Sequence, residues 1–220
     1  MTRAERGDAA TPDPTTMAGV TRVRVRLLGA VLAGGRSRRF GRDKTAESIR
    51  GAPMIERAVD ALASCCADVV VVSSREDTPV GPWRTIPDDR PDLGPLAGIE
   101  TALAEAARIG CGAVFVLAAD LPLVQSGTVA DVVAELGEGR AAAAAREGDP
   151  DFEPLCAVYR TDCLDDVAAL LDGGESAARA LLERVGGARA PVDPRTLVNV
   201  NTEADLAMAE TLENELESSG

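Results

Sequence analysis

Histidine is absent from all 220 residues. With it go Ser-His-Asp hydrolysis, Cys-His proteolysis and zinc sites of mixed ligand type. Cysteine is scarce and scattered: Cys65, Cys66, Cys111, Cys156 and Cys163 form no Cys-x-x-Cys pair. An odd number of dispersed thiols suits a reducing cytoplasm, where most of them serve as small buried apolar residues. No run of eighteen apolar residues occurs, so no transmembrane helix is expected. Positive charge is also short, with 23 Lys and Arg against 36 Asp and Glu and a net charge of −13. That balance argues against general binding to nucleic acid or to an anionic membrane, both of which need a broad basic face. The stretch Met1 to Thr21 is rich in Ala, Thr, Asp and Pro and has no apolar core. It reads as a disordered lead, not a secretory signal, and Met17 offers a second start. Residues 22–216 remain as one domain, long enough to bury a real core, with 217–220 as a flexible end.

Against this acidic background, one loop is basic. Leu32 to Lys44 reads Leu-Ala-Gly-Gly-Arg-Ser-Arg-Arg-Phe-Gly-Arg-Asp-Lys, with Arg36, Arg38, Arg39, Arg42 and Lys44 set against the single acid Asp43. It leaves an apolar run, Val25 to Leu32, of the kind expected for a strand buried on both faces of a parallel sheet. Open α/β sheets bind ligands at the carboxyl ends of such strands, and Gly34 and Gly35 lack the Cβ that would hold backbone N–H groups away from a phosphate. The loop is not a Walker A motif, because Arg42 and Asp43 separate Gly41 from Lys44, and the spacing of a dinucleotide fingerprint is missing as well.

Apolar runs then alternate with helical patterns, as in βαβ units. Pro53 suits a helix first turn, with Ile55, Val59 and Leu62 on one face. Val69 to Val72 and Trp83 to Ile86 read as strands, Leu96 to Ala107 as a helix, and Ala113 to Ala119 as the central strand. Ser126 to Leu136 reads as a helix with Ser126 as its N-cap. The alanine run Ala141 to Arg146 favours helix by propensity, but its position and length favour a buried strand. Pro154 to Arg160 is a further strand, preceded by the acidic turn Gly148 to Glu153. Thr161 to Leu171 and Ser176 to Arg184 follow as helices. Asn201 or Thr202 caps a closing helix that runs to about Leu216.

Four segments, in order, resemble the MobA-like nucleotidyltransferases. They are the thirteen-residue basic loop, then Asp88 to Ile99 with its Gly94-Pro95-Leu96-Ala97-Gly98 turn, then Asp120-Leu121-Pro122 after the central strand, and finally Leu197 to Leu206 with Asn199 and Asn201. The likeness spans roughly Arg26 to Glu213 and is nearest to the molybdenum cofactor guanylyltransferases, which attach GMP from GTP to molybdopterin. It implies a single-domain, Rossmann-like, doubly wound α/β fold with a mostly parallel sheet of the nucleotidyltransferase type. It also implies GTP and molybdenum cofactor as substrates, Mg2+, and transient contacts with cofactor-insertion and molybdoenzyme proteins.

Nucleotidyl transfer joins two anions, so charge neutralisation and alignment make up most of the task. Backbone N–H groups from Ala33 to Gly35 would cradle the phosphates, with Leu32 beside them at the nucleotide. Lys44 supplies charge near the α- and β-phosphates and Arg39 a bidentate fork, while Arg36, Arg38 and Arg42 are as well explained as solvent-facing. Asp120 suits a magnesium ion that takes one or two carboxylates plus phosphate oxygens, although an aspartate before Pro122 is also a natural turn former. Asp88 has the spacing to Gly94 of the family's base-contacting aspartate. A carboxylate there can accept from N1–H and the exocyclic amine of guanine, while Asp89 and Asp92 read as a solvated turn. Asn199 and Asn201 suit the acceptor side, or strand termination and helix capping.

The chain also departs from the family. Ser73 and Ser74 stand where relatives commonly carry asparagine, which leaves the expected nucleotide contact of Ser74 in question, and Phe40 and Glu203 replace the usual methionine and proline. The rival readings are a cytidylyltransferase on the same cofactor, a nucleotidyltransferase on a sugar or alditol phosphate, and a non-catalytic nucleotide-binding regulator or chaperone. Because the lead carries neither apolar periodicity nor phosphate chemistry, a chain beginning near Thr21 should keep its melting temperature and activity. Loss of either would show that the lead docks on the domain.

Overall fold

The computed structural model describes residues 25–33, 48–73, 81–149 and 151–219. In chain order the strands are β1 (Leu27–Leu32), β2 (Ser48–Ile49), β3 (Ala52–Pro53), β4 (Asp68–Ser73), β5 (Thr85–Pro87), β6 (Ala113–Ala118), β7 (Ala141–Arg146), β8 (Glu153–Arg160) and β9 (Ala188–Val192). The helices are α1 (Met54–Ala63), α2 (Pro95–Arg108), α3 (Ser126–Leu136), α4 (Leu164–Asp172), α5 (Ala178–Val185) and α6 (Glu203–Ser219). Every residue of β1 and of β6 is buried, as continuous apolar strands in a sheet covered on both faces should be. The two lie side by side and parallel, from Leu27 opposite Ala113 to Leu32 opposite Ala118.

The main sheet runs in the order β5, β4, β1, β6, β8, β7, β9. All neighbours are parallel except at β8, which is antiparallel to both β6 and β7. Helices α1 and α3 bury Ile55, Leu62, Val129 and Val132 on one face, where Phe115 and Val158 point. On the other, α2, α4 and α5 bury Leu96, Leu103, Val167 and Leu181 against Val116 and Tyr159. Side chains of this size each contribute about 1.5–3 kcal/mol on full burial. Gly29 sets the approach of α1 to β1, since a Cβ there would lie 3.1 Å from Leu62 Cβ and 3.2 Å from Val69 Cγ2. The doubly wound, mostly parallel architecture expected from the sequence is therefore present.

The alanine run is strand β7, with all five alanines buried between β8 and β9. Ladder pairing on both sides outweighs the helix propensity of alanine, which amounts to only tenths of a kcal/mol per residue over the others.

Several local readings change. The first strand begins at Leu27, two residues later than expected, and the short third strand is Thr85–Pro87, because Val71–Ser73 pair only that far. Ser126 is not a cap: Gln125 holds that position, its carbonyl receives the Val129 N–H at 3.1 Å, and no side chain caps the helix. The helix expected from Thr161 opens as a 3-10 turn, Thr161–Cys163, before α4. Helix α5 begins at Ala178, two residues later than expected, because the Glu175 carboxylate takes the N–H groups of Ser176 and Ala177, each at 2.8 Å.

At the closing helix, Thr202 provides the cap by accepting the Asp205 N–H at 3.1 Å, while Asp205 Oδ2 accepts from the N–H groups of Asn201 and Thr202. This is a reciprocal capping arrangement. Helix α6 extends past Leu216 to Ser219, and Arg50 pairs with Glu217 at 3.3 Å, so residues 217–219, read as a flexible end, are helical. Together with the β2–β3 hairpin α6 encloses a small third core of Ile49, Met54, Leu123, Val200 and Ala209.

All five cysteines are free thiols, and Cys111, Cys156 and Cys163 are buried. Burial pushes the Cys66 thiol up to about 12 and the Cys163 thiol to about 11, so neither is a ready nucleophile near neutral pH. Among the described residues no helix is long and apolar enough to cross a membrane.

The amino ends of the strands are tied down by Glu105, a buried acid in the last turn of α2. It accepts a fork from Arg108, Nε at 2.6 Å and Nη2 at 2.8 Å, and a further bond from Arg84, which also pairs with Asp68 at 3.1 Å. The Arg108 hydrogen bonds, with those of Arg84, hold the Glu105 carboxyl at about 2 against an ordinary 4.5. Its folded value is depressed, so the stabilisation is complete above the ordinary value and is lost as pH falls from there toward 2. Glu105→Gln should cost about 1 kcal/mol near neutral pH, since both arginines are partly solvated. Urea unfolding at pH values of about 7 and about 3 should show the gap to wild type narrowing in acid. An unchanged gap would mean that Glu105 acts by packing alone.

Candidate active site

Because β5, β4, β1 and β6 are parallel neighbours, their carboxyl ends share one edge of the sheet. Backbone bonds continue the ladder beyond the strands. The Ala33 N–H donates to the Val72 carbonyl at 2.9 Å, the Asp88 N–H to the Ser73 carbonyl at 2.9 Å, and the Ala119 N–H to the Leu32 carbonyl at 3.2 Å. Asp88, Ser73, Leu32–Ala33 and Asp120 thus form one row. The three strand steps from Asp88 to Asp120 amount to about 14 Å of backbone separation. Gly34, Gly35, Arg36, Arg38, Arg39, Arg42, Lys44 and Ser74 lie outside the described residues.

Asp88 is half-buried and held from two sides. Its Oδ1 accepts the Arg90 N–H at 3.0 Å, and the Thr101 hydroxyl bonds its carboxylate while also accepting the Asp89 N–H at 3.1 Å. Burial pushes the Asp88 carboxyl above the ordinary range, opposed by the Arg90 N–H and helped by the charge of Asp89. Asp89 and Asp92 are exposed, as a solvated turn requires.

The turn closes at Gly94, whose φ of +84° belongs to the region that favours glycine. A Cβ there would stand 3.1 Å from the Ser176 carbonyl oxygen. The same carbonyl accepts the Leu96 N–H at 3.3 Å, and the Leu96 side chain is fully buried. Pro95 opens α2, where a missing N–H costs nothing. Leu96 thus holds the turn in place, while Pro95 stands exposed beside it.

Asp120 is half-buried in a turn closed by the Leu121 N–H and the Ala118 carbonyl at 3.2 Å. Its own carbonyl accepts the Val200 N–H at 2.9 Å, which brings Asn199 and Asn201, both exposed, alongside it. The structure thus joins Asp120 to the two asparagines some eighty positions away in the chain.

Sequence reasoning placed Glu153 only in an acidic turn. In the structure it is the first residue of β8, and the antiparallel pairing of β8 with β6, whose last pair is Leu117 with Cys156, brings it close enough to Asp120 for the two charges to interact. Burial raises the Glu153 carboxyl above its usual range. The Leu155 N–H, donating at 3.1 Å, opposes this, the charge of Asp120 adds to it, and Arg146 and Arg179 oppose it more weakly. Next to it Phe152 lies between two guanidinium groups, Arg179 at 4.7 Å and Arg189 at 5.1 Å from the ring centroid. No local pattern announces these neighbours, because they depend on β8 running backwards.

Oxygen donors of this kind suit a hard cation such as Mg2+, which binds through one or two carboxylates and leaves its remaining positions to water and phosphate. Among the described residues no three or more His, Cys, Asp or Glu side chains form a group that could hold a metal ion by themselves.

Residues 29–205 match the family described as the MobA-like NTP transferase domain. The chain is 36% identical over 186 residues to a probable molybdenum cofactor guanylyltransferase of Mycobacterium tuberculosis, an alignment covering 83% of this chain and 92% of that protein. A probable molybdenum cofactor guanylyltransferase of Opitutus terrae is 37% identical over 151 residues, covering 68% of this chain and 74% of that one. Among solved structures, molybdopterin-guanine dinucleotide biosynthesis protein A of Archaeoglobus fulgidus superposes with a TM-score of 0.69 at 25% identity, covering 88% of this chain and all of that one.

Gly94→Ala should destabilise the protein by about 1–3 kcal/mol from the backbone alone, since φ +84° with ψ −174° is a conformation that essentially only glycine adopts, with further displacement of Ser176. We expect a lower melting temperature together with weaker nucleotide binding. A variant that binds and melts like wild type would show that the turn relaxes freely.

Proposed function

The chain belongs to the MobA-like NTP transferase family, and on that footing we propose that it transfers GMP from GTP to molybdopterin-bound molybdenum cofactor, with Mg2+, releasing pyrophosphate. The observation that carries this reading is the row of Asp88, Leu32–Ala33 and Asp120 along one edge of the sheet, a span suited to a nucleotide with its base at one end and its phosphates at the other. The names of the relatives supply the acceptor.

In this reading the Asp88 carboxylate accepts from N1–H and the exocyclic amine of guanine. Adenine and cytosine lack that donor pair. With the Ala33 N–H held by the Val72 carbonyl, the backbone N–H groups of Gly34 and Gly35 are the ones left to hold the phosphates, with Arg39 and Lys44 offsetting their charge. Asp120 holds the magnesium ion, whose charge, when bound, neutralises triphosphate oxygens. Asn199 and Asn201, on either side of the Val200 that bonds the Asp120 carbonyl, orient the acceptor. An oxygen of the acceptor phosphate forms a bond to the α-phosphorus as the bond from that phosphorus to the bridging oxygen breaks, and pyrophosphate leaves with the electron pair. We place the reaction in the cytoplasm, where the free, buried thiols stay reduced.

Asp120→Asn preserves size and most hydrogen bonding but removes the charge. We expect unchanged stability, turnover lowered by about two orders of magnitude, and loss of the magnesium enhancement of GTP binding. GTP titrations of both proteins with and without magnesium decide the matter. Equal enhancement in the two would make Asp120 a turn residue and misplace the site.

A further inference from the structure

Arg90 is held through both its backbone and its guanidinium. Its N–H donates to Asp88 Oδ1 at 3.0 Å and its carbonyl accepts the Leu93 N–H at 3.3 Å. Its guanidinium reaches two helices, Nε to Glu100 of α2 at 2.9 Å and Nη1 to Asp172 at the end of α4 at 2.7 Å. The group of Arg90 that bonds Asp88 is its backbone N–H, so the side chain acts on that carboxylate by fixing the backbone of the turn.

The turn it anchors is under stress. Asp92 adopts φ +70°, a left-handed conformation unusual for a residue with a Cβ, and Asp88, Asp89 and Asp92 crowd three acids into five positions. Their repulsion tends to open the turn. Arg90 opposes this by fastening the corner to α2 and α4, next to the point where Ser176 receives the Leu96 N–H. Ion pairs as solvated as the one to Asp172 contribute little to overall stability, so this bracing acts chiefly on local geometry.

We propose that Arg90 is a positioning residue for base selection: by clamping the turn between α2 and α4 it aims the Asp88 carboxylate at the donor edge of the base, without touching the nucleotide itself. The inference rests on the reading of Asp88 as the base contact. A carboxylate that accepts two parallel hydrogen bonds must be held in angle as well as in distance, because hydrogen bonds weaken steeply off line. With Arg90 shortened, Asp88 keeps its charge and loses its aim.

The test compares equilibrium binding of GTP with that of ITP, which lacks the exocyclic amine, using the full chain and the variants Asp88→Asn, Arg90→Gln and Arg90→Lys, with melting temperatures recorded for each. Wild type should prefer GTP by about tenfold, the usual consequence of leaving one buried acceptor unpaired. Asp88→Asn should abolish the preference. Arg90→Gln should lower it to about twofold, with GTP, which makes both bonds, losing more affinity than ITP, which makes only the N1–H bond. Arg90→Lys, a point charge unable to span both carboxylates, should fall between.

A purely structural role would weaken both nucleotides in parallel and leave their ratio intact, which overturns the proposal. If Arg90→Gln does not fold, a wild-type ratio in Arg90→Lys overturns it equally. If wild type does not distinguish the two nucleotides, or Asp88→Asn leaves the ratio unchanged, the base-contact reading itself fails. If Asp88→Asn abolishes the preference and Arg90→Gln retains it, only the role of Arg90 falls.

Discussion

The parallel pairing of β1 with β6 is the constraint on which everything else depends. Two runs of six residues, all buried, are laid side by side with no offset, Leu27 to Ala113 and Leu32 to Ala118. Neither run has a polar face to offer water, so each needs a strand on both sides and helices on both faces. Once they align in the same direction, the chain leaving Leu32 and the chain leaving Ala118 emerge together. The first leads into the basic loop and the second into Asp120. β4 and β5, parallel on the other flank, bring Asp88 to the same edge.

The second half of the sheet obeys a different rule. β8 runs against its neighbours and sits between β6 and β7, so it is the beginning of this strand that reaches the functional edge. Glu153 and Phe152 arrive there for that reason, and Asn199 and Asn201 arrive by the hydrogen bond between Val200 and Asp120. The edge thus divides into a half built from parallel strand ends, which carries Asp88 and Leu32–Ala33, and a half built from a strand start and a returning loop. The two meet at Asp120.

Charge organises both halves without dominating stability. The acidic turn at Asp88–Asp92 is held by one arginine shared between two helices, and the acids near β8 are balanced by Arg146 and Arg179. An acidic protein that handles phosphorylated ligands must gather its positive charge locally, because long-range attraction works against it.

What was legible in the sequence follows a simple division. Continuous apolar runs located β1, β4 and β6, since burial on both faces leaves a signature in composition alone. Period and spacing located α1, α2 and the closing helix with its Thr202 cap, because a helix interacts mainly with itself. The acids at Asp88 and Asp120 were visible because they follow strands at short, fixed distances. The hairpin of two-residue strands β2 and β3 is too short to carry a pattern. β9 was hidden by Pro191, which an edge strand tolerates only because one side of it needs no partner. The late start of α5 was set by the Glu175 carboxylate, which takes the N–H groups of Ser176 and Ala177, while the Ser176 carbonyl is claimed by Leu96 some eighty residues earlier in the chain. The sequence by itself determined which segments become strands and helices and which acids sit at their ends, because those choices depend on burial and local geometry. Only the tertiary structure decided the direction of β8, the approach of Glu153 to Asp120 and the bracing of Asp88 through Arg90, because strand direction and contacts between helices are settled by packing among distant segments and leave no trace in any one of them.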